Sequence, residues 1–215
     1  MTSSYFPAPS EFADDDIVAI GGPLSIDVLI EAYEKGVFPW PIEDMPLTWF
    51  SPLNRAILDF KDLHISKSLE KLKNKGPYRF TLNQAFEEVI NQCSKVKRQD
   101  KGTWITPEIV QAYSNLHKHH YAHSIEVWEN NDLVGGIYGV AIKGVFSAES
   151  MFHLKNNTSK LALIYLIETL KKSKVNWLDI QILTPHMETF GSKLIPRQNF
   201  LEKIQQTHAL NLKIF

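Results

Sequence analysis

The sequence predicts an α+β protein in which a smaller helical lobe precedes a mixed sheet beginning near residue 100. Three observations lead there. Segments 122–128, 133–141 and 144–150 alternate as strands do, and the first two are joined by the turn Glu129-Asn130-Asn131-Asp132. An apolar helical stretch through Leu170 separates this meander from one further strand, Asn176 to Leu183. The earlier segments instead repeat their apolar residues at helical spacing.

Each element has its own signal. Ser25 stands where a helix cap belongs, ahead of Ile26, Leu29, Ile30 and Tyr33, and Gly36 ends that helix. Val37 to Arg55 holds four of the eleven prolines and two of the five tryptophans, so it reads as an ordered aromatic loop. Ser66 heads a second helix, with Lys67, Lys71 and Lys75 four apart on one face. Leu82, Ala85, Phe86, Val89, Ile90 and Cys93 mark a third. Thr106-Pro107 starts a fourth, pairing a cap residue with proline at the first helical position. Ser159 is read as the cap of the apolar helix, and helical turns after Pro185 and around Asn199–Gln206 finish the chain.

Composition narrows the function classes. The longest apolar run, Leu161 to Ile167, is far too short to cross a bilayer, and no basic, apolar signal core opens the chain. A single cysteine excludes an intramolecular disulfide and a multi-cysteine metal site. A cytoplasmic globular protein is expected. The net charge of −1 hides a segregation: residues 1–60 carry ten acidic and two basic side chains, residues 61–105 ten basic and five acidic. A basic surface can meet phosphates, and it can equally be a solvated face.

Chemistry is concentrated in a few places. Alternation puts Trp177, Asp179, Gln181 and Leu183 on one face of the last strand, with Leu178, Ile180 and Ile182 on the other. A carboxylate and an amide among apolar neighbours form either a buried site or an edge strand meeting water. Glu149 sits between small residues and flanking aromatics, lining a pocket or pairing with a lysine. Trp40, Trp49, Trp104 and Tyr113 offer flat faces on which a base can stack, or core packing. His117, His119, His120 and His123 are dense, but neither cysteine nor a nearby acid completes a metal set. Phosphate-loop, dinucleotide and nucleophile-elbow motifs do not occur.

Read in order, these residues resemble the bacterial leucyl/phenylalanyl-tRNA–protein transferases. The matching text is Gly36-Val-Phe-Pro-Trp40, Trp49-Phe-Ser-Pro52 with Arg55, Leu63-His-Ile-Ser66, Gly102-Thr-Trp-Ile-Thr106, Tyr121 to Trp128 and Leu133 to Val140. Glu149-Ser-Met-Phe152, Ser159-Lys160, Asp179-Ile-Gln181 and Ile195-Pro-Arg197 complete it. The resemblance implies a small N-terminal domain over residues 1–62 and a GNAT-like acyltransferase domain over 63–215. It implies transfer of Leu, Phe or Met from aminoacyl-tRNA to the α-amine of proteins beginning with Arg or Lys, marking them for degradation. No cofactor, metal or membrane is expected, and a monomer is the default because the sequence does not give the oligomeric state. Family roles on matching positions make Asp179 and Gln181 the catalytic pair, with Glu149 in the same network. In an aminolysis Asp179 is then expected to fix the Gln181 amide and stabilise developing positive charge. Trp40, Trp104 and Tyr113 would surround the terminal adenosine. Ile137, Phe146, Met151 and Leu166 would line the aminoacyl pocket, and Lys67, Lys71 and Lys75 would contact tRNA phosphates. Pro23, Phe50, Ala148 and His153 depart from the family's usual text. An acetyl-CoA enzyme would carry [QR]-x-x-G-x-[GA]; the nearest text, Gln99 to Trp104, ends in tryptophan and precedes the wrong element.

Overall fold

In the computed structural model, which describes residues 4–96 and 103–215, the chain alternates strands and helices around two sheets. The acetyl-CoA-like text at Gln99 and the Gly102 that opens one family motif lie outside the described residues. The first part comprises β1 (Ile17–Ile20), α1 (Ile26–Glu34), β2 (Phe38–Pro39), β3 (Thr48–Phe50) and β4 (Asn54–Asp59). Then come α2 (Lys67–Lys75), β5 (Tyr78–Leu82), α3 (Phe86–Cys93) and α4 (Pro107–Lys118). The meander is β6 (Ala122–Glu129), β7 (Asp132–Ile142) and β8 (Val145–His153). It is followed by α5 (Thr158–Lys172), β9 (Trp177–Gln181), α6 (Pro185–Glu188), β10 (Lys193–Pro196) and α7 (Arg197–Ala209).

β1, β3 and β2 form a three-stranded antiparallel sheet, and the other strands form a seven-stranded one in the order β10-β4-β9-β8-β7-β6-β5. The large sheet is antiparallel except where α5 crosses from β8 to β9, and there the two strands pair in parallel at Ser147 and Asp179 alone. This is the mixed, mostly antiparallel α+β architecture expected.

Several local readings are corrected. The stretch Val37 to Arg55 is not only a loop: β2, β3 and the start of β4 fall inside it, too short to show alternation. The first lobe is therefore sheet as well as helix. Leu82 ends strand β5 rather than opening α3, and β5 and β10 are edge strands that the helical pattern on either side concealed. Asn157, in the left-handed region at φ 69°, occupies the cap position of α5, and Ser159 lies inside the helix. β9 stops at Gln181, so Ile182 is exposed rather than filling a sheet face. β4 precedes the expected boundary at residue 62 yet pairs within the large sheet, so the two sheets divide between residues 50 and 54.

Both faces of the large sheet are covered. α5 is apolar nearly all round and packs, with Leu69 of α2 and with Met187 and Phe190, on a face carrying Ile125, Val127, Ile137, Phe146, Leu178 and Ile180. The opposite face carries Tyr138, Val140 and Phe152, packed by α1, α3, α4 and the small sheet. Phe200, Leu201 and Ile204 of α7 continue that layer under Ile57 and Trp177. Gly36, at φ 73°, lies so close to the Phe200 ring that a β-carbon there would meet it at 2.8 Å. The turn after α1 thus needs glycine twice over, for its backbone and for its contact.

Candidate active site

β4 and β9 place Arg55 and Asp179 side by side in the buried layer beneath the small sheet. Arg55 Nε donates to Asp179 Oδ1 at 2.9 Å and Nη2 to Oδ2 at 2.7 Å, both side chains being nearly inaccessible. The guanidinium lies over the rings of Phe38 and Phe200, 4.6 and 4.5 Å from their centroids, and Nη1 donates to the Gly36 carbonyl at 3.3 Å. Ser147 Oγ, from β8, donates to Asp179 Oδ2 at 2.8 Å, and the Gln181 backbone N–H donates to Oδ1 at 3.0 Å. Four donors therefore fill the four lone-pair directions of this carboxylate.

Gln181 joins the network by an irregularity. Ile57 pairs with Asp179 and Ala56 with Gln181, so Ile180 is an extra residue on β9. Gln181 takes φ 60°, a conformation unfavourable by about 1 kcal/mol for a residue with a β-carbon. The bond from its N–H to Asp179 and the bond from its Nε2 to Glu149 Oε1, at 2.6 Å, hold it there. The expectation that Asp179 fixes the Gln181 side-chain amide is corrected: Asp179 holds the backbone, and Glu149 holds the amide. Because nitrogen faces Glu149, the amide oxygen is left to accept.

Glu149 is itself a bulged residue. Tyr138 pairs with Ser150 and Gly139 with Ala148, which leaves Glu149 extra on β8. Gly139 makes this possible, since a β-carbon there would collide with the Ser147 carbonyl and the Phe146 ring. Glu149 turns toward α1 and α4, where Tyr33 donates to Oε1 at 2.8 Å and Tyr113 reaches Oε2 at 3.4 Å. The two tyrosine hydroxyls are also hydrogen-bonded to each other. Burial pushes the Glu149 carboxyl up from 4.5 to about 7; the Asp179 charge adds to the rise, while the Tyr33 and Gln181 donors and Arg55 oppose it. Burial, followed by the Glu149 charge, pushes both tyrosine hydroxyls well above their usual range, which keeps them neutral donors.

The remaining candidates divide by face. Ile137, Phe146 and Leu166 share one buried cluster with Met151 packed against it, on the α5 side of the sheet. The polar network is on the other side, and between the two β8 and β9 pair only at Ser147 and Asp179. Trp40 and Trp104, half-buried on the polar side, stack on each other at 5.2 Å and 18°. Tyr113 is fully buried, edge-on to Tyr138, so it offers its hydroxyl rather than a ring face. Lys67, Lys71 and Lys75 are exposed along α2, remote from the network, whereas Lys73 between them pairs with Glu168. The histidines are held by backbone: His117 Nδ1 donates to the Ala122 carbonyl at 2.8 Å and His123 Nε2 to that of His120 at 3.1 Å. Among the described residues no group of three metal-ligating side chains converges. Arg55, Tyr33 and Ser147 are site residues that sequence reasoning passed over. Tyr33 looked like one more apolar helix position, and Arg55 stood in a matching motif with no role attached.

The Gln181 amide is thus oriented by the Glu149 carboxylate, the single cysteine Cys93 is packed in the core, and Ser147 is committed to Asp179. Two family models match the chain: leucyl/phenylalanyl-tRNA protein transferase over residues 57–205, and the N-terminal domain of the same enzymes over residues 22–53. The leucyl/phenylalanyl-tRNA–protein transferase of Colwellia psychrerythraea is 48% identical over 90% of this chain and 82% of that protein. The protein of the same name from Pseudoalteromonas atlantica is 44% identical over 95% of this chain and 88% of that one. The chain belongs to the leucyl/phenylalanyl-tRNA–protein transferase family, and it is an aminoacyl-tRNA-dependent transferase. Among solved structures, a GCN5-related N-acetyltransferase-like protein from Streptococcus suis is similar over 79% of this chain and 63% of that one, at 13% identity and a TM-score of 0.35, too remote to argue from.

Proposed function

We propose that the enzyme transfers leucine, phenylalanine or methionine from aminoacyl-tRNA to the N-terminal α-amine of proteins beginning with Arg or Lys, marking them for degradation. The observation that carries this reading is the Gln181 amide: its nitrogen is bound to Glu149, so its oxygen can receive an N–H of an attacking amine and orient the nitrogen lone pair. An α-amine has a reference pKa of about 7.7–8.0, so a useful fraction is neutral at physiological pH and needs no strong base to become a nucleophile. Holding amine and ester together accounts for much of the acceleration, effective molarities reaching about 10⁵ M or more.

In this reading the ester spans the gap between β8 and β9. Its side chain lies among Ile137, Phe146, Met151 and Leu166, and its carbonyl lies beside Gln181. The terminal adenosine stacks on the Trp40–Trp104 pair, and Tyr113 acts through its hydroxyl. An apolar pocket separates similar aliphatic side chains weakly, one methylene being worth about 1–3 kcal/mol, which suits several hydrophobic donors. Lys67, Lys71 and Lys75 meet tRNA phosphates, and the acidic first sixty residues suit a cationic acceptor.

The test is transfer of labelled leucine from leucyl-tRNA to peptides beginning with Arg, Lys or Glu. Label on the Arg and Lys peptides alone is expected. Label on the Glu peptide overturns the acceptor assignment, and no label on any peptide overturns the reaction. Gln181→Ala should abolish transfer with tRNA binding retained; near-normal turnover in this variant removes the amide from the mechanism.

A further inference from the structure

Aminolysis leaves a proton to be moved. When the amine nitrogen bonds to the ester carbonyl carbon and the carbon–oxygen bond to the terminal ribose breaks, the nitrogen must lose one proton and the ribose oxygen must gain one. A group serving both transfers must ionise near neutral pH, lie beside the Gln181 amide and keep an acceptor position open. Asp179 fails on the last count, because Arg55, Ser147 and the Gln181 N–H occupy all of its lone pairs. Ser147 is spent on Asp179, and a neutral amide holds no proton.

We propose that Glu149 takes the proton released by the attacking amine and returns it to the leaving ribose oxygen, and that Tyr33 is the positioning residue that presents Glu149 for this exchange. The step rests on the aminolysis reading above. Its carboxylate accepts from the Gln181 amide nitrogen at 2.6 Å, so it borders the amide group whose oxygen is proposed to receive the amine. Oε1 is occupied by two donors, Gln181 and Tyr33, while among the described residues Oε2 meets Tyr113 alone, at the long distance of 3.4 Å, which leaves a place for a proton. The carboxylate begins and ends the cycle ionised, so no other reactant is consumed.

The surroundings permit the cycle. Glu149 faces Tyr33 from α1, Tyr113 from α4, Asp179 and Gln181 from β9, and Arg55 from β4. Arg55 is neutralised by its bidentate partner, so no lone cation pins Glu149 in its charged form. Burial holds its pKa near 7, where gaining and losing a proton cost similar amounts. Tyr33 donates to the charged form and so resists that rise.

Single-turnover transfer from leucyl-tRNA, followed from pH 5 to 9 with two Arg-initiated peptides whose α-amines differ in pKa, separates the enzyme's titration from the acceptor's. With wild type, one limb should move with the peptide and one, near pH 7, should not. Glu149→Gln should lose the fixed limb and fall at least about 10²-fold in rate constant, with the half-saturating concentration of leucyl-tRNA little changed. Tyr33→Phe should move the fixed limb upward by about one pH unit and recover wild-type rate above it, because it removes a donor to the charged carboxylate. A purely structural role would not move a limb and then restore the plateau. A fixed limb that survives in Glu149→Gln, or a defect confined to half-saturation by leucyl-tRNA, overturns the proposal; the second outcome makes Glu149 a binding group. Should Glu149→Gln fail to fold, the Tyr33→Phe profile decides alone, and an unshifted limb overturns the assignment of both residues. A wild type that transfers to no peptide overturns the aminolysis reading itself, whereas a wild type that transfers without a fixed limb overturns only the proton step.

Discussion

Replacing Arg55 by methionine keeps much of the side chain's length between Phe38 and Phe200 but removes the charge facing Asp179. Two of the four donors to that carboxylate go, leaving Ser147 Oγ and the Gln181 N–H around a side chain at 1% exposure. Removing one partner of a buried ion pair costs about 3–5 kcal/mol, chiefly through the charge left behind. For a chain of this size each kcal/mol moves the melting temperature by about 2–4 °C, so a fall of about 6–20 °C is expected.

The cost should be traceable to the charge left behind. Adding Asp179→Asn to the variant removes that charge and should relieve most of the deficit in denaturant titration. A loss below about 1 kcal/mol, or a larger one unrelieved by Asp179→Asn, would refute the claim that Arg55 is the counter-ion on which Asp179 depends.

Other expectations follow from the same contacts. Gly139→Ala forces a β-carbon against the Ser147 carbonyl and the Phe146 ring, so a loss of about 1–3 kcal/mol should appear in thermal unfolding, with transfer impaired because the Glu149 bulge is displaced. Glu149, with its folded pKa near 7 against an ordinary 4.5, withdraws stability as pH climbs through that interval. Glu149→Gln should accordingly gain on wild type between those values in denaturant titrations, and parallel stability curves would contradict the raised pKa. Alanine at Lys67, Lys71 or Lys75 should weaken aminoacyl-tRNA binding alike for different tRNA sequences and lower the logarithmic salt slope by about one per lysine. Binding of aminoacyl-adenosine should perturb the fluorescence of the stacked Trp40–Trp104 pair, and an unaltered spectrum at saturation would remove that pair from the adenosine site.

What the sequence disclosed follows from how many residues each feature spans. α2, α4 and the meander of β6, β7 and β8 announce themselves because a cap or an alternation persists over several residues, and the caps at Ser66 and Thr106 are made as expected. β2, β3 and β10 are two to four residues long and have no period to read. Asp179, Gln181 and Glu149 were legible as a polar group among apolar neighbours, but their wiring was not. It depends on one extra residue in β8 and one in β9, and strict alternation has no place for either. Gly139, inside an otherwise well-formed strand, was the available signal, since a glycine there marks a bulge or a close approach. Tyr33 gave no signal, because a helix position that buries a ring looks the same whether or not its hydroxyl finds a carboxylate.

The division of the site between two faces explains why the irregularities are needed. A regular strand sends alternate side chains to opposite faces, so a continuous β8–β9 ladder would seal the polar residues away from the apolar quartet. An aminoacyl ester needs both at once, a dry pocket for its side chain and hydrogen-bonding groups at its carbonyl. Limiting the two strands to one bridge lets them diverge, and the proposed passage of the ester through the sheet would lie at the point where Gln181 and Glu149 meet. An open sheet interior exposes backbone groups, and the extra residues put side chains there instead: the Gln181 amide and the Glu149 carboxylate span the gap where ladder bonds would have been. The Arg55–Asp179 pair holds β9 at the last paired position, so the divergence starts at a fixed place. In the proposed reaction Asp179 acts through the backbone of Gln181 rather than through substrate. Its conservative replacement, Asp179→Asn, should then slow transfer in proportion to how far it loosens Gln181, and should move the enzyme's own pH limb downward, because the charge that raises the Glu149 carboxyl is gone and the Arg55 cation is left unpaired.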